Sequence, residues 1–164
     1  MPHATFATPL GNCAIAWNDS GLTRFLLPDP GRRAGGDTEA EPPPWVQAII
    51  ARVQCHVAGE PQGFADVAYD FTRVPEFNRS VLRATLAVKS GHTATYGEIA
   101  TAIGQPPVAS RAVGAALGAN AWPLLIPCHR IVAAGGKMNG FSGPGGIGTK
   151  VKLLALEGAQ LLAE

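Results

Sequence analysis

The residues best suited to chemistry lie in the run 126–130, which reads Ile-Pro-Cys-His-Arg. A cysteine attacks as its thiolate, and a free thiol near neutral pH is mostly protonated. Activation requires a nearby base or cation, and histidine is the usual partner. Because His129 directly follows Cys128, this pair predicts a cysteine nucleophile activated by a histidine.

A structural interpretation of the same pair stays open. In an extended segment neighbouring side chains point to opposite sides, although at a turn they need not. In this structural interpretation, His129 is a buried histidine that holds the loop through a hydrogen bond and takes no part in chemistry. The three cysteines also fit small buried hydrophobes, and their odd number does not suggest a disulfide framework. They are Cys13, Cys55 and Cys128.

The composition is that of a folded protein with an uneven charge. Of the 164 residues, 46% are hydrophobic, which supports a packed core and excludes a disordered chain. Residues 1–74 carry five Arg against eight Asp and Glu, hence −3, and residues 75–164 carry eight Lys and Arg against four Glu, hence +4, which together give the net +1. The basic second half permits an anionic partner, but dedicated DNA-binding domains are usually more basic.

The sequence carries no sign of export or membrane insertion. The N-terminus lacks the basic and apolar regions of a secretion signal. No apolar run reaches the roughly 18 to 20 residues that span a bilayer. We therefore expect a cytoplasmic protein with no membrane partner.

The first half predicts an α/β domain over residues 1–74. Strands are expected at 6–8 and 13–17, joined as a hairpin by a turn at Gly11–Asn12. The further expected elements are a strand at 22–27, an exposed loop at 28–44, a helix at 45–56 and one more strand at 66–71.

The second half, residues 75–164, predicts a mostly helical domain. A helix with one apolar face begins at Pro75. Thr95 and Glu98 have the spacing of a capping box, in which each side chain satisfies a free amide at a helix start. The short helix that follows is expected to end near Gly104.

A second helix, expected at 108–117, makes this region a helix-turn-helix candidate. The helix consists almost wholly of small residues, with Arg111 as its single charge. Such a surface approaches another backbone closely, and the sequence leaves open whether it packs on its own domain or docks on DNA. If the helix meets DNA, Arg111 is the residue that reaches it.

Cys128 is expected on a buried segment that is not helical. Residues 122–132 form an apolar run broken by two prolines, which excludes a helix interior and predicts an extended segment with the cysteine at a turn. The glycine-rich residues 135–148 predict a flexible loop, and 149–156 predict a last short helix.

Several motifs around the cysteine occur in one order. They are the Thr-Tyr-Gly-Glu helix start, the upstream Asn120, Pro-Cys-His-Arg at 127–130 and Asn-Gly-Phe-Ser-Gly at 139–143. Over residues 77–158 they resemble the O6-alkylguanine-DNA alkyltransferases, also called methylated-DNA–protein-cysteine methyltransferases. The first half resembles them through its Pro-Leu-Gly hairpin and strand pattern. The resemblance implies a ribonuclease-H-like sheet with a helix, followed by the helix-turn-helix domain.

The resemblance also implies a role for each matching residue. Cys128 matches the alkyl acceptor, His129 the base that draws the thiol proton through a water, and Glu157 the carboxylate that orients this histidine. Asn120 matches the asparagine that holds the turn around the site. Tyr96 matches a tyrosine that contacts the flipped nucleotide and donates a proton to the leaving guanine.

The DNA contacts follow from the same resemblance. Arg111 matches an arginine that enters the duplex and fills the gap left by the extruded base. The other DNA-binding positions are Ser110, Ala112, Gly114 and Tyr96. The positions of the base pocket are Ile131, Phe141, Ser142 and Lys150. Phe141 departs from the tyrosine of many relatives and has no hydroxyl to donate.

Together these residues predict DNA repair by direct, irreversible transfer of an alkyl group from O6-alkylguanine, and from O4-alkylthymine, to Cys128 in a single turnover. The expected partner is double-stranded DNA containing the lesion, bound by a monomer without a cofactor. We expect no metal, since the spacing of the candidate ligands does not suit zinc. Those candidates are His3, Cys13, Cys55 and His56.

Two other classes of function are alternatives to this prediction. A non-catalytic binder of alkylated DNA would resemble the same domain but carry another residue at the cysteine position. The joint presence of Cys128, His129 and Glu157 argues against it. A transcription factor would need Asn, Gln or Lys on the second helix to read the major groove, and that helix lacks them.

Overall fold

A small antiparallel sheet occupies the first half of the chain and helices dominate the second. The computed structural model describes residues 2–29, 39–134 and 146–158, with the backbone alone for Gly146 and Ile147. The strands are β1 (His3–Thr8), β2 (Gly11–Asn18), β3 (Gly21–Leu26), β4 (Ala94–Thr95) and β5 (Ile131–Val132). The helices are α1 (Pro44–Val57), α2 (Glu76–Leu86), α3 (Tyr96–Ala102), α4 (Ser110–Gly118) and α5 (Gly146–Leu156). This confirms the predicted order of a strand-rich part followed by a mostly helical part.

The hairpin between β1 and β2 turns earlier than the sequence predicted. Thr8 pairs with Gly11, so the loop consists of Pro9 and Leu10, and the expected turn residues Gly11–Asn12 lie inside β2. The Thr8 hydroxyl donates to the Gly11 carbonyl at 2.7 Å and accepts from the Leu10 amide at 3.1 Å. Gly11 has a φ of 125°, a conformation that favours glycine, so it closes the turn from the strand side.

The strand expected at 66–71 is reduced to a single bridge with β3. Leu22 donates its amide to the Ala68 carbonyl at 2.8 Å and accepts from the Asp70 amide at 2.8 Å. The Asp70 carboxylate then accepts from both the amide and the hydroxyl of Thr72. This local turn takes the backbone away from the sheet, which explains why the pairing does not continue.

The helix at 45–56 is confirmed, with α1 beginning one residue earlier, at Pro44. Its apolar period is confirmed too, since Val46, Ile49 and Val53 are buried. α1 contacts β1 along this face. The first half therefore has a three-stranded sheet, in the order β1-β2-β3, with α1 packed on it.

The capping box at α3 is also confirmed. The Thr95 hydroxyl accepts from the Glu98 amide at 3.0 Å, and the Glu98 carboxylate accepts from the Thr95 amide at 2.8 Å. α3 ends at Ala102, and Gly104 takes the chain onward with a φ of 80°. The start and end of this helix therefore lie close to where the sequence predicted them.

The next helix begins with one turn of 3-10 helix at Pro107–Ala109 and continues as α4. Its two faces differ. Val113, Ala116 and Leu117 are buried, and α4 packs against α2 and α3, whereas Arg111 and Ala112 are exposed. The small-residue helix thus packs on its own domain with one face and leaves the other to solvent.

The segment at 122–132 is buried, as expected, but it is not extended throughout. It turns between Pro123 and Ile126, with Leu124 at a φ of 77°, and makes one turn of 3-10 helix at Cys128–Arg130 before β5. Two prolines and the Asn120 side chain, described below, impose these turns. The expected turn at the cysteine is present.

The last helix begins at Gly146 instead of residue 149, so the final residues of the predicted glycine loop are helical. The rest of that loop, residues 135–145, lies outside the described residues. Within the part of the chain that the structure describes, no helix is both long and apolar enough to cross a membrane.

The two halves share one continuous core. The Trp122 indole N–H donates to the Leu22 carbonyl at 3.0 Å, and the Phe25 amide donates to the Ala121 carbonyl at 2.9 Å. One apolar cluster includes buried side chains of the sheet, of α1 and of the C-terminal helices. The predicted boundary between residues 74 and 75 lies just before α2. That it divides the chain into two domains stays a prediction.

Candidate active site

Cys128 begins the 3-10 turn that joins the buried segment to β5. Its amide donates to the Ile126 carbonyl at 2.7 Å, and the Arg130 amide donates to the Pro127 carbonyl at 2.9 Å. β5 continues directly from the turn and pairs in parallel with β4. The cysteine is therefore held at both ends of its turn by backbone hydrogen bonds.

Asn120 fixes the loop that precedes the cysteine. Its Nδ2 donates to the Ile126 carbonyl at 2.9 Å, and its Oδ1 accepts from the Trp122 amide at 2.9 Å. Its side chain also hydrogen-bonds the Cys128 thiol, which favours the thiolate. One amide thus contacts both the backbone of the loop and the sulfur.

His129 is fully buried and points one ring nitrogen at Glu157. The distance between Nε2 and Oε2 is 2.9 Å. The other nitrogen, Nδ1, is buried and has no hydrogen-bond partner among the described residues. Burial lowers the pKa of His129, against the opposing effect of the Glu157 carboxylate. An imidazole that donates from Nε2 to a carboxylate has its lone pair on Nδ1 and can accept a proton there.

Glu157 is itself held by a paired contact with Arg130. Arg130 Nε donates to Oε1 at 2.8 Å and Nη2 donates to Oε2 at 2.7 Å, while Nη1 donates to the Val88 carbonyl at 2.7 Å. Burial raises the pKa of Glu157, but the hydrogen bonds from Arg130, His129 and His56 outweigh it and hold the pKa far below its usual range. The carboxylate is therefore ionised at neutral pH.

His56, at the end of α1, is a fourth member of this cluster. Its Nε2 lies 2.8 Å from Oε2 of Glu157, and its Nδ1 accepts from the Gln62 amide at 3.0 Å. Sequence reasoning missed this role and that of Arg130. A signal for His56 was present, because it continues the apolar period of Val46, Ile49 and Val53, and a histidine on a buried face needs a polar partner.

Lys150 and Tyr96 are charged and polar neighbours of Cys128. Lys150 on α5 is fully buried, with its Nζ 5.8 Å from the centre of the Tyr96 ring. Burial raises the pKa of the Cys128 thiol, and the nearby charge of Lys150 acts in the opposite direction. Burial lowers the pKa of Lys150 to about 8. Burial and the neighbouring cysteine raise the pKa of Tyr96, so its hydroxyl stays protonated.

All of the predicted DNA-binding residues lie on α4 except Tyr96, which begins α3. Arg111 is exposed and makes no hydrogen bond or ion pair within the described part of the chain, and Ala112 beside it is exposed. The Ser110 hydroxyl donates to the Pro107 carbonyl at 2.6 Å, so it holds the start of the helix. At Gly114 an added Cβ would lie 3.9 Å from the Tyr96 ring, so this position faces the tyrosine.

Most of the predicted site residues come together. Asn120, Tyr96 and Lys150 interact with Cys128, and His129, the next residue in the chain, pairs with Glu157. Ile131 is buried in β5, with Ala94 as its β4 partner. Phe141 and Ser142 lie outside the described residues. Among residues 2–29, 39–134 and 146–158 no group of three or more His, Cys, Asp or Glu side chains could hold a metal ion, and the predicted absence of a metal and a cofactor stays a prediction.

The arrangement suits nucleophilic displacement at a cysteine. The thiol has a hydrogen-bond donor and a cation beside it, and the adjacent histidine has a free ring nitrogen backed by an ionised carboxylate. A third group that orients the base completes the pattern of an activated nucleophile.

Comparison with known proteins agrees with this chemistry. The family described as "6-O-methylguanine DNA methyltransferase, DNA binding domain" matches residues 76–159. A methylated-DNA–protein-cysteine methyltransferase of Mycolicibacterium paratuberculosis is 37% identical over 96% of this chain and 92% of its own length. Another, of Methanothermobacter thermautotrophicus, is 31% identical over 93% of this chain and 83% of its own length.

Solved structures show the same relationship. The crystal structure of Mycobacterium tuberculosis OGT in complex with DNA superposes with a TM-score of 0.80 at 34% identity, covering 96% of this chain and 93% of that one. The match therefore extends over the first half as well as over the helical part. The chain belongs to the methylated-DNA–protein-cysteine methyltransferase family.

Proposed function

We propose that this chain repairs DNA by moving an alkyl group directly and irreversibly from O6 of a guanine to the sulfur of Cys128. Cys128 is the alkyl acceptor and His129 is the general base. Glu157 is the carboxylate that orients His129 and stabilises its protonated form. Asn120 and Lys150 favour the thiolate. The observation that carries the proposal is the buried, unpartnered Nδ1 of His129, opposite an Nε2 that is fixed 2.9 Å from a carboxylate.

The step balances with groups of this chain alone. The thiol proton passes to Nδ1 of His129, directly or through one water. A bond forms between Sγ of Cys128 and the alkyl carbon, the bond from that carbon to O6 breaks, and its electron pair stays on the guanine. Tyr96 donates a proton to the guanine and recovers one from the imidazolium. The net products are a thioether and an unmodified guanine, and the stable thioether makes each molecule single-use.

The lesion must leave the base stack to reach this site. Extrusion costs a few kcal/mol, and less for a poorly paired base. We assign α3, the turn and α4 to a helix-turn-helix, and we assign the exposed face of α4 to the DNA minor groove, which is about 6 Å wide and suits small side chains. Arg111 then enters the duplex in place of the extruded base, and Ser110, Ala112, Gly114 and Tyr96 line the contact.

Finer features of the proposal follow from the resemblance. The three-stranded sheet with α1 supports a ribonuclease-H-like fold for the first half, where it is a structural support. We assign Ile131, Lys150, Phe141 and Ser142 to the base pocket on the basis of the resemblance. We also assign O4-alkylthymine as a second substrate and the monomer as the active form, which light scattering on the purified protein would test.

A labelled-transfer assay tests the central claim. The protein is incubated with duplex DNA containing O6-methylguanine labelled in the methyl group, and protein-bound label is measured. The native chain is expected to take up at most one label per molecule, and Cys128→Ala none. Cys55→Ala, on α1, is the matched control and is expected to retain full transfer.

Two outcomes would refute the proposal. The first is lesion binding by the native chain with no transfer of label, which would favour a non-catalytic binder of alkylated DNA. The second is undiminished labelling of Cys128→Ala, which would move the acceptor to another residue.

A further inference from the structure

We propose that His56, contributed by α1 in the first half of the chain, is a positioning residue for alkyl transfer: it donates a hydrogen bond to Glu157 and thereby holds this carboxylate against His129. The inference rests on the proposed function and extends the site to a residue from the other half of the molecule. His56 itself does not touch the reacting atoms.

The hydrogen bonds determine which nitrogen of His56 carries the proton. The Gln62 amide donates to Nδ1 at 3.0 Å, so Nδ1 must be unprotonated. The proton then lies on Nε2, which faces Oε2 of Glu157 at 2.8 Å. His56 is therefore a neutral donor with a fixed direction.

Three donors meet on one oxygen of Glu157. Oε2 is 2.8 Å from His56, 2.9 Å from His129 and 2.7 Å from Nη2 of Arg130, whereas among the described residues Oε1 accepts only from Nε of Arg130. Without His56, the two parallel bonds of Arg130 would decide the orientation of the carboxylate. The third donor keeps Oε2 in reach of the base.

The residues around His56 fix its ring, so that it can hold Glu157 in place. Its exposed fraction is 3%, and the Phe64 ring packs edge-on against it with 5.8 Å between ring centres. Arg52, one turn earlier on α1, pairs with Asp66 at 2.9 Å and ties down the loop that carries Gln62 and Phe64. The ring is thus fixed by packing as well as by two hydrogen bonds.

The test separates position from folding by two substitutions at this residue. His56→Phe keeps a planar ring against Phe64 but removes the donor, and His56→Gln keeps an N–H group that reaches as far as Nε2. The matched control is Val53→Ala, which removes buried volume one turn earlier on the same helix. The measurement is the rate constant of methyl transfer at saturating protein, with the dissociation constant for unmodified duplex determined in parallel.

For His56→Phe we expect the rate constant to fall about fivefold or more, since a small displacement of a catalytic group is costly. DNA affinity should stay unchanged, and His56→Gln should recover most of the rate. Val53→Ala should melt at a lower temperature yet transfer at the native rate well below that temperature.

A smaller fall for His56→Phe, or no recovery by His56→Gln, would overturn the inference while the native protein still transfers its label. If His56→Phe does not fold, nitrogen-resolved NMR of histidine in the native protein decides. A proton on Nδ1 of His56 instead of Nε2 would overturn the inference, and a proton on Nε2 bonded to Glu157 would support it. Failure of the native protein itself to transfer would refute the proposed function instead.

Discussion

At the scale of single residues, the carboxylate of Glu157 is the group on which the polar side chains around His129 converge. It is buried, and its partners are Arg130, His129 and His56. Removing one partner of a buried ion pair leaves the other charge uncompensated, which is far more costly than losing an exposed pair. The same carboxylate therefore contributes to stability and, in the proposed mechanism, orients the base.

Glu157→Gln is expected to lower the free energy of unfolding at pH 7 by about 3 to 5 kcal/mol, because the Arg130 charge loses its buried partner. The pKa of Glu157 is lowered in the folded protein, so its contribution is complete above the unfolded value of about 4.3 and declines as the pH falls below it. Urea unfolding between pH 7 and pH 3 measures both effects.

The difference in stability between the native protein and Glu157→Gln should shrink below about pH 4, since the unfolded native chain then binds a proton that the folded one does not. The exposed Glu76→Gln is the control and should follow the native curve. Parallel curves for the native protein and Glu157→Gln over the acidic range would contradict the assignment.

The part of the candidate site that lies in one short motif could be predicted from the sequence. The part that depends on contacts between distant residues could not. Cys128, His129 and Arg130 are adjacent in the sequence, so the reactive turn could be recognised from its letters. His56 lies 101 positions before Glu157. No spacing rule links two residues so far apart, and only the buried face of α1 pointed to a polar partner there.

At the scale of the elements, α4 divides its surface between packing and exposure. Its buried face could be inferred from Val113, Ala116 and Leu117 once the helix was placed. The sequence could not choose between packing and DNA contact, because small residues suit both. In the structure one face of α4 is buried and the other, which carries Arg111, is exposed and is the face proposed for DNA contact.

Arg111→Ala is expected to change stability by less than about 0.5 kcal/mol, since the side chain is exposed and makes no hydrogen bond or ion pair within the described residues. Alkyl transfer from duplex DNA should nevertheless slow about tenfold, because nothing fills the gap left by the base. Single-turnover kinetics with labelled duplex measure the rate.

The matched control for Arg111→Ala is Arg24→Ala, which removes an exposed cation of the same type from β3. It is expected to transfer at the native rate. Equal rates for the two variants would argue against a specific role for Arg111 and leave only the general effect of charge on DNA affinity.

Side-chain hydrogen bonds at turns determined which helix and strand boundaries could be predicted from the sequence. The capping box of Thr95 and Glu98 located α3 because both residues lie within four positions. The hairpin was misplaced because Thr8 hydrogen-bonds across the turn, and the strand at 66–71 was wrong because Asp70 binds Thr72. In both cases a side chain competes with the backbone pairing that the pattern suggested.

At the scale of the whole molecule, the two halves are joined by polar and apolar contacts. Trp122 contacts Tyr69 and Phe71 through its ring and bonds Leu22 through its N–H group. His56 and Glu157 join α1 to the end of α5. The two halves differ in net charge along the sequence, but they pack around one shared core. Composition alone could not predict this packing.

We therefore expect the described halves to unfold in one cooperative transition. Urea unfolding followed by tryptophan fluorescence and by far-ultraviolet circular dichroism should give coincident curves. Trp122→Phe, which loses the bond to Leu22, should shift both curves together by about 1 kcal/mol. Two separated transitions would contradict this and support independent domains at 1–74 and 75–164.

Thr95 has two positions at once: it is the last residue of β4, opposite Val132, and it is the N-cap of α3. The turn that holds the acceptor continues without a break into β5, so the reactive sulfur and the helix pair proposed for DNA share a short mechanical linkage. We expect a sulfur enlarged by an alkyl group to crowd the packed turn at one end of this linkage, while the N-cap of α3 lies at the other end. The alkylated protein is therefore expected to bind DNA with a different affinity from that of the unreacted protein.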